Sequence, residues 1–290
     1  MNLLMFCPDG VSDVQKNSGN REMQVQEKWL IAVDLDGTLF HTDHQISSRT
    51  LNIMHRVKEN GHSMVILTGR SSHSSMPRLR SIPEDIRLIC SNGAYEYDRK
   101  QQSIVWSHCL SAAMATSIKH RILDALPAAS FGWESSLGLS YDAKFISEAG
   151  GAHTLEQGGK KETLGQCDVL KLFVRAPGKK SGELNTMLSR LLYGDAEVSS
   201  SGVPFVEITA VGINKGNALS RVACDLGFKS DHTIAFGDNL NDISMLCWAG
   251  ESVAMGNAIN EVKALTSCHT LSNSEDGVAH FLESKFLESC

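Results

Sequence analysis

Apolar and polar positions along this chain alternate between two periods. Residues 29–33 form a continuous apolar run closed by Asp34-Leu35-Asp36-Gly37-Thr38, the pattern of a buried strand ending in a glycine turn. Across residues 47–60, Leu51, Met54 and Val57 recur at helical spacing, with a serine start and a stop at Gly61. Residues 62–67 form a second apolar run, ending in Thr68-Gly69-Arg70. A short helix interrupted at Pro77 leads to a third strand at 87–90, which ends in Ser91-Asn92-Gly93-Ala94. Strand and helix alternating through short turns predict an α/β fold with a parallel sheet and right-handed crossovers.

From Tyr95 the rhythm changes. Residues 95–97 and 103–106 read as a hairpin, 111–126 as a helix closed by Pro127, and 130–133, 137–141, 169–174 and 205–208 as strands. A helix over 181–192 lies among them, and 145–166 is a Gly-rich, mixed-charge stretch without clear period, read as a loop or an irregular insertion. Alternation returns after Val211 with a helix over 215–226, strands at 232–236 and 251–255, and a last helix over 277–286. The expected organisation is a flexible extension at 1–27, a core from 28–95 and 206–290, and an inserted α+β unit at 96–205.

The polar motifs fall at strand ends, where open α/β sheets bind their ligands. Burying Asp34 and Asp36 together is costly unless a cation or a proton-transfer task offsets it, so metal-assisted chemistry on an anion is the first expectation. A formal charge of −6 gives no basic field for nucleic acid or an anionic membrane. The eight cysteines form no CxxC pair and read as reduced thiols rather than a disulfide framework or zinc site. The apolar start at 3–6 is too short for a signal peptide, and no span has the length of a membrane helix. A cytoplasmic protein is expected.

Taken in order, Asp34-Leu35-Asp36-Gly37-Thr38, Leu67-Thr68-Gly69-Arg70, Asn214-Lys215-Gly216 and Gly237-Asp238 through Asn241-Asp242 resemble the haloacid dehalogenase superfamily of phosphohydrolases, in its Cof-like branch with a large α/β cap. Ser91-Asn92-Gly93-Ala94, Val206-Glu207-Ile208, Val253 through Ala258 and Asp276-Gly277-Val278-Ala279 add to the likeness. The resemblance implies a Rossmann-like parallel-sheet core with an inserted α+β cap acting as a substrate lid. It implies that Asp34 is the nucleophile and Asp36 the general acid and base. Thr68 and Gly69 would bind the phosphoryl group, Lys215 would neutralise its charge, and Asn92 and Asn241 would support it. Mg²⁺ would be held by Asp34, the backbone carbonyl of Asp36, Asp238 and Asp242. The expected substrate is a small phosphorylated metabolite such as a sugar phosphate, flavin mononucleotide or pyridoxal phosphate.

His41, His44 and His73 flank the site in sequence. Trp133, Glu134, Tyr141, Asp142 and Lys144 are aromatic or charged positions in or beside cap strands, where substrate recognition is expected. Two other functions stay open: a sugar phosphomutase using the same aspartate pair, and a non-catalytic phosphate-ligand sensor.

Overall fold

A computed structural model describes residues 27–148, 163–200 and 204–287. In chain order the first five strands are β1 (Leu30–Val33), β2 (Ser63–Leu67), β3 (Arg87–Cys90), β4 (Tyr95–Asp98) and β5 (Ser103–Ser107), with helices α1 (Ser48–Glu59) and α2 (Ser72–Ser75) between them. Then come α3 (Ala112–Ala125), β6 (Ser130–Ser135), β7 (Gly138–Tyr141), α4 (Ala143–Glu148), β8 (Lys171–Arg175), α5 (Ser181–Leu191), β9 (Glu197–Ser199) and β10 (Val206–Thr209). The chain closes with α6 (Lys215–Leu226), β11 (Thr233–Gly237), α7 (Ile243–Trp248), β12 (Glu251–Ala254), α8 (Asn260–Leu265), β13 (Cys268–His269) and α9 (Gly277–Phe286).

Two sheets result. The larger has the order β13-β12-β11-β1-β2-β3-β4-β5, parallel from β13 to β3 and antiparallel through the last hairpin. Strand β1 lies inside it, and all four of its residues are fully buried, which is why it reads as a continuous apolar run rather than an alternating one. Val33 is in register with Phe236 on one side and Ile66 on the other. The carboxyl ends of β1, β2 and β11 are therefore level, and Asp34, Thr68 and Asp238 leave the sheet at one edge.

The second sheet, β7-β6-β8-β10-β9, is antiparallel. One face carries Phe131, Trp133, Leu172, Val174, Val206 and Ile208, which pack with Ile118 and Ile122 of α3 and Leu184 and Leu188 of α5. Strict alternation puts Gly132, Glu134, Lys171, Phe173 and Glu207 on the other face.

Two segments near the expected boundaries pair in sheets that the apolar pattern alone does not specify. The hairpin at 95–107 extends the larger sheet through the Cys90–Tyr95 pairing, and strand 206–209 belongs to the second sheet, paired with β8 and β9. A short apolar run has the same pattern whichever sheet it joins, because its partner is remote in sequence. Helix α4 takes up the start of the stretch read as a loop; residues 149–162 and the expected extension up to residue 26 lie outside the described residues. Among the described residues no helix is long and apolar enough to cross a membrane.

Candidate active site

After Val33 the strand curls at once. The amides of Leu39 and Phe40 donate to the carbonyls of Asp34 (3.2 Å) and Leu35 (2.8 Å), so Asp34 and Asp36 stand on a turn rather than on opposite faces of a continuing strand. Gly37 has φ +81°, and a Cβ there would lie 2.3 Å from a carboxylate oxygen of Asp238. Only glycine combines that left-handed backbone with so close an approach. The turn is also tied to the distant C-terminal segment: Asn257 Nδ2 donates to Gly37 O (2.8 Å) and Asn273 Nδ2 to Phe40 O (2.7 Å).

Lys215 opens α6 behind an Asn214 cap. It is fully buried, and its Nζ donates to Asp34 (2.5 Å) and Asp242 (2.6 Å). Burial pushes the lysine down, but Asp242 and Asp34 outweigh it and hold the ammonium well above its ordinary range. Asp34 is raised chiefly by burial, opposed by Lys215 and reinforced by Asp242 and Asp238. Asp242 is fully buried; its second oxygen accepts the amides of Asp238 (2.9 Å) and Asn239 (3.0 Å). Asp238 accepts the Thr38 hydroxyl at 3.0 Å, and burial followed by Asp242 pushes it up to about 7.

Asp34, Asp238 and Asp242 each present an oxygen within 4.8 Å of the others. Three hard-oxygen donors, with only one ammonium among them and an elevated Asp238, fit a magnesium-type cation. The Asp36 carboxylate stands apart from this group. It is gripped by the Arg70 fork, Nε to Oδ2 at 2.5 Å and Nη2 to Oδ1 at 2.6 Å, and is 40% exposed.

Thr68 is fully buried and its Oγ1 accepts the Arg70 amide at 3.1 Å, leaving the hydroxyl proton to donate elsewhere. Asn241 donates to Asn92 (3.1 Å) beside Gly69, and Asn92 donates to Glu207 (3.0 Å). All nine residues expected at the site therefore meet at one edge of the larger sheet.

The surrounding expectations divide. His44 lies 3.4 Å from Asp36. His41 instead binds Asp276 at 2.8 Å, together with Ser47 and Thr50, and His73 lines a neighbouring cleft with Tyr97 and Ser136. Trp133 is buried on the helix-covered face of the second sheet. Asp142 accepts the amides of Phe131 and Phe145 (both 2.9 Å), and Lys144 donates to Ala128 O; both brace their own unit. Glu134 and Tyr141 lie on the opposite face, paired in register with positions facing the larger sheet.

Arg70, Lys171 and Glu207 carry no role in the sequence reading, although Arg70 closes a motif and Lys171 and Glu207 lie in the expected strands 169–174 and 205–208. The legible signal was charge inside apolar runs, since Lys171 and Glu207 interrupt otherwise hydrophobic strands.

The family model for haloacid dehalogenase-like hydrolases matches residues 31–282. A 5-amino-6-(5-phospho-D-ribitylamino)uracil phosphatase of Bacillus subtilis is 30% identical over 89% of this chain and 97% of its own. A pyridoxal phosphate phosphatase of Escherichia coli is 27% identical over 89% and 98%. A solved haloacid dehalogenase-like hydrolase from Bacteroides thetaiotaomicron superposes with a TM-score of 0.74 at 25% identity, covering 90% of this chain and all of that one. The chain therefore belongs to the haloacid dehalogenase-like hydrolases, as a phosphatase of their Cof-like branch.

Proposed function

We propose that this protein hydrolyses small phosphate monoesters through an aspartyl-phosphate, with the second sheet and its helices as the cap. The observation that carries the reading is the clamp of Lys215 between Asp34 and Asp242, with the Arg70-held Asp36 on the exposed side. Asp34 attacks phosphorus as the protonated form of Asp36, one oxygen still held by Arg70, delivers its proton from the other oxygen to the departing ester oxygen. Asp36 then takes a proton from the water that cleaves the aspartyl-phosphate and regenerates Asp34. Lys215 and the Thr68 hydroxyl offset charge on the phosphoryl oxygens, and Arg70 sets the direction of the Asp36 carboxylate. Mg²⁺, for which Asp34, Asp238 and Asp242 are the side-chain ligands and Asp36 the carbonyl ligand in this proposal, would supply further positive charge against those oxygens.

Phe173, Phe205 and Tyr141 cluster on the cap face toward the core, with Phe173 and Phe205 edge to face at 5.3 Å. They favour a leaving group bearing a ring, in keeping with the aminouracil and pyridoxal substrates named for the two relatives. The free thiols of Cys90, Cys109, Cys224, Cys247 and Cys268 suit a reducing, cytoplasmic location.

The test is phosphate release from a panel of ring-bearing and sugar phosphates, with Mg²⁺ and with EDTA, for wild type and Asp34→Asn. Release that needs Mg²⁺ and disappears in Asp34→Asn is expected. Isomerised sugar phosphate without free phosphate would establish the mutase instead, and inertness across the panel would leave the sensor.

A further inference from the structure

The cap reaches into the phosphate loop through the buried side chain of Lys171. Lys171 pairs in register with Glu134, and Phe173 with Glu207, so Glu134, Lys171 and Glu207 share the face turned to the core. All three are buried, at 2–4% exposure. Lys171 Nζ donates to Glu207 (2.8 Å) and crosses to the core to donate to the Gly69 carbonyl (2.5 Å). Glu207 accepts from Asn92 (3.0 Å), while Glu134 accepts the hydroxyls of Ser91 and of Tyr95 (2.6 Å).

On the core side, three consecutive carbonyls of the Thr68-Gly69-Arg70 loop are engaged. Thr68 O accepts the Asn92 amide (3.0 Å) and Arg70 O the Ser91 amide (2.9 Å). The middle one, Gly69 O, is taken by the cap lysine. The amides of Ser91 and Asn92 come from two successive non-glycine residues in the left-handed region, φ 51° and 59°. Such backbone persists where its surroundings over-determine it; here the cap carboxylates grip the Ser91 and Asn92 side chains.

Holding Gly69 O fixes the plane of the Gly69–Arg70 peptide. The N–H of that same peptide donates to Thr68 Oγ1 at 3.1 Å, which leaves the threonine O–H to point at a phosphoryl oxygen. Arg70, at the end of the same plane, carries Asp36. A seam needed only for adhesion would be as stable or more so if apolar, so this buried polar cluster is better suited to setting a geometry.

We propose that Lys171 is a positioning residue: seating of the cap through Lys171 and Glu207 orients the Gly69–Arg70 peptide, and with it the Thr68 hydroxyl and the Arg70–Asp36 pair. The phosphate loop is competent only under a seated cap. This rests on the phosphatase reading above.

The experiment uses the full chain as Lys171→Met/Glu207→Gln, which leaves no uncompensated charge at Glu207, with Lys171→Gln as a second variant that keeps one donor for Gly69 O. Three quantities are compared with wild type: kcat and KM for p-nitrophenyl phosphate, calorimetric binding of inorganic phosphate, and hydrogen exchange of peptides covering residues 67–71. A kcat lower by tenfold or more, phosphate binding weaker by a similar factor and faster exchange at 67–71 are expected in the double variant, with Lys171→Gln between it and wild type. A folded variant, either one, that matches wild type in all three overturns the proposal. If the wild type turns over no ester yet its phosphate binding and loop exchange depend on Lys171, the phosphatase reading fails and the positioning role stands.

Discussion

Removing the charge of Lys215 as Lys215→Met tests the electrostatic design of the site. The substitution leaves Asp34 and Asp242 buried without their cation, beside Asp238. The fold escapes most of the repulsion by taking up a proton on Asp34, whose ordinary value is near 3.8. At about 1.4 kcal/mol per pH unit, that uptake costs about 4 kcal/mol at pH 7 and about 2 kcal/mol at pH 5. The larger figure agrees with the roughly 3–5 kcal/mol seen when one partner of a buried pair is removed. The sign follows from linkage: a carboxyl raised in the folded state binds protons more tightly than in the unfolded chain, so stability falls as pH climbs above its unfolded value. Urea denaturation of wild type and variant in EDTA, at pH 5 and pH 7, measures the difference. The excess destabilisation over wild type should be smaller at pH 5 than at pH 7, and Mg²⁺ at pH 7 should restore more stability to the variant than to wild type. A variant as stable as wild type at pH 7 in EDTA, or a loss independent of pH, would refute the picture of three mutually repelling acids held by one lysine.

Two further outcomes bear on the mechanism. Asp36→Asn should slow phosphate release roughly a hundredfold or more through loss of proton transfer, with little change in thermal stability because the side chain is partly exposed; an unchanged rate would remove Asp36 from the chemistry. Asp238, held up to about 7 by burial and Asp242, must lose its proton before it can ligate a cation. The Mg²⁺ concentration for half-activation should therefore rise below pH 7, by up to about tenfold per unit; a flat dependence between pH 5 and pH 7 would show that Asp238 is not a ligand.

What the sequence determined by itself was the set of local patterns and the chemistry at their ends. Residues 29–38, 62–70 and 232–242 each carry an apolar run followed at once by polar residues, and parallel strands in level register turn three such sequence-local signals into one spatial edge. Asp34, Thr68 and Asp238 fall together for that reason, whereas Lys215, at the start of a helix, was named only through the family resemblance. The tertiary structure decided what depends on partners remote in the chain. The hairpin at 95–107 joined the core sheet and strand 206–209 the cap sheet through pairings that an apolar run does not encode. Trp133 and Glu134 are neighbours in sequence, yet alternation sends one among the cap helices and the other to the core. The same holds at the opening aspartates. Their spacing announced a cation and an anion, whereas the separation of roles, Asp34 under Lys215 and Asp36 in the fork of Arg70, exists only because the turn at Gly37 brings in side chains from more than thirty and about a hundred and eighty residues away.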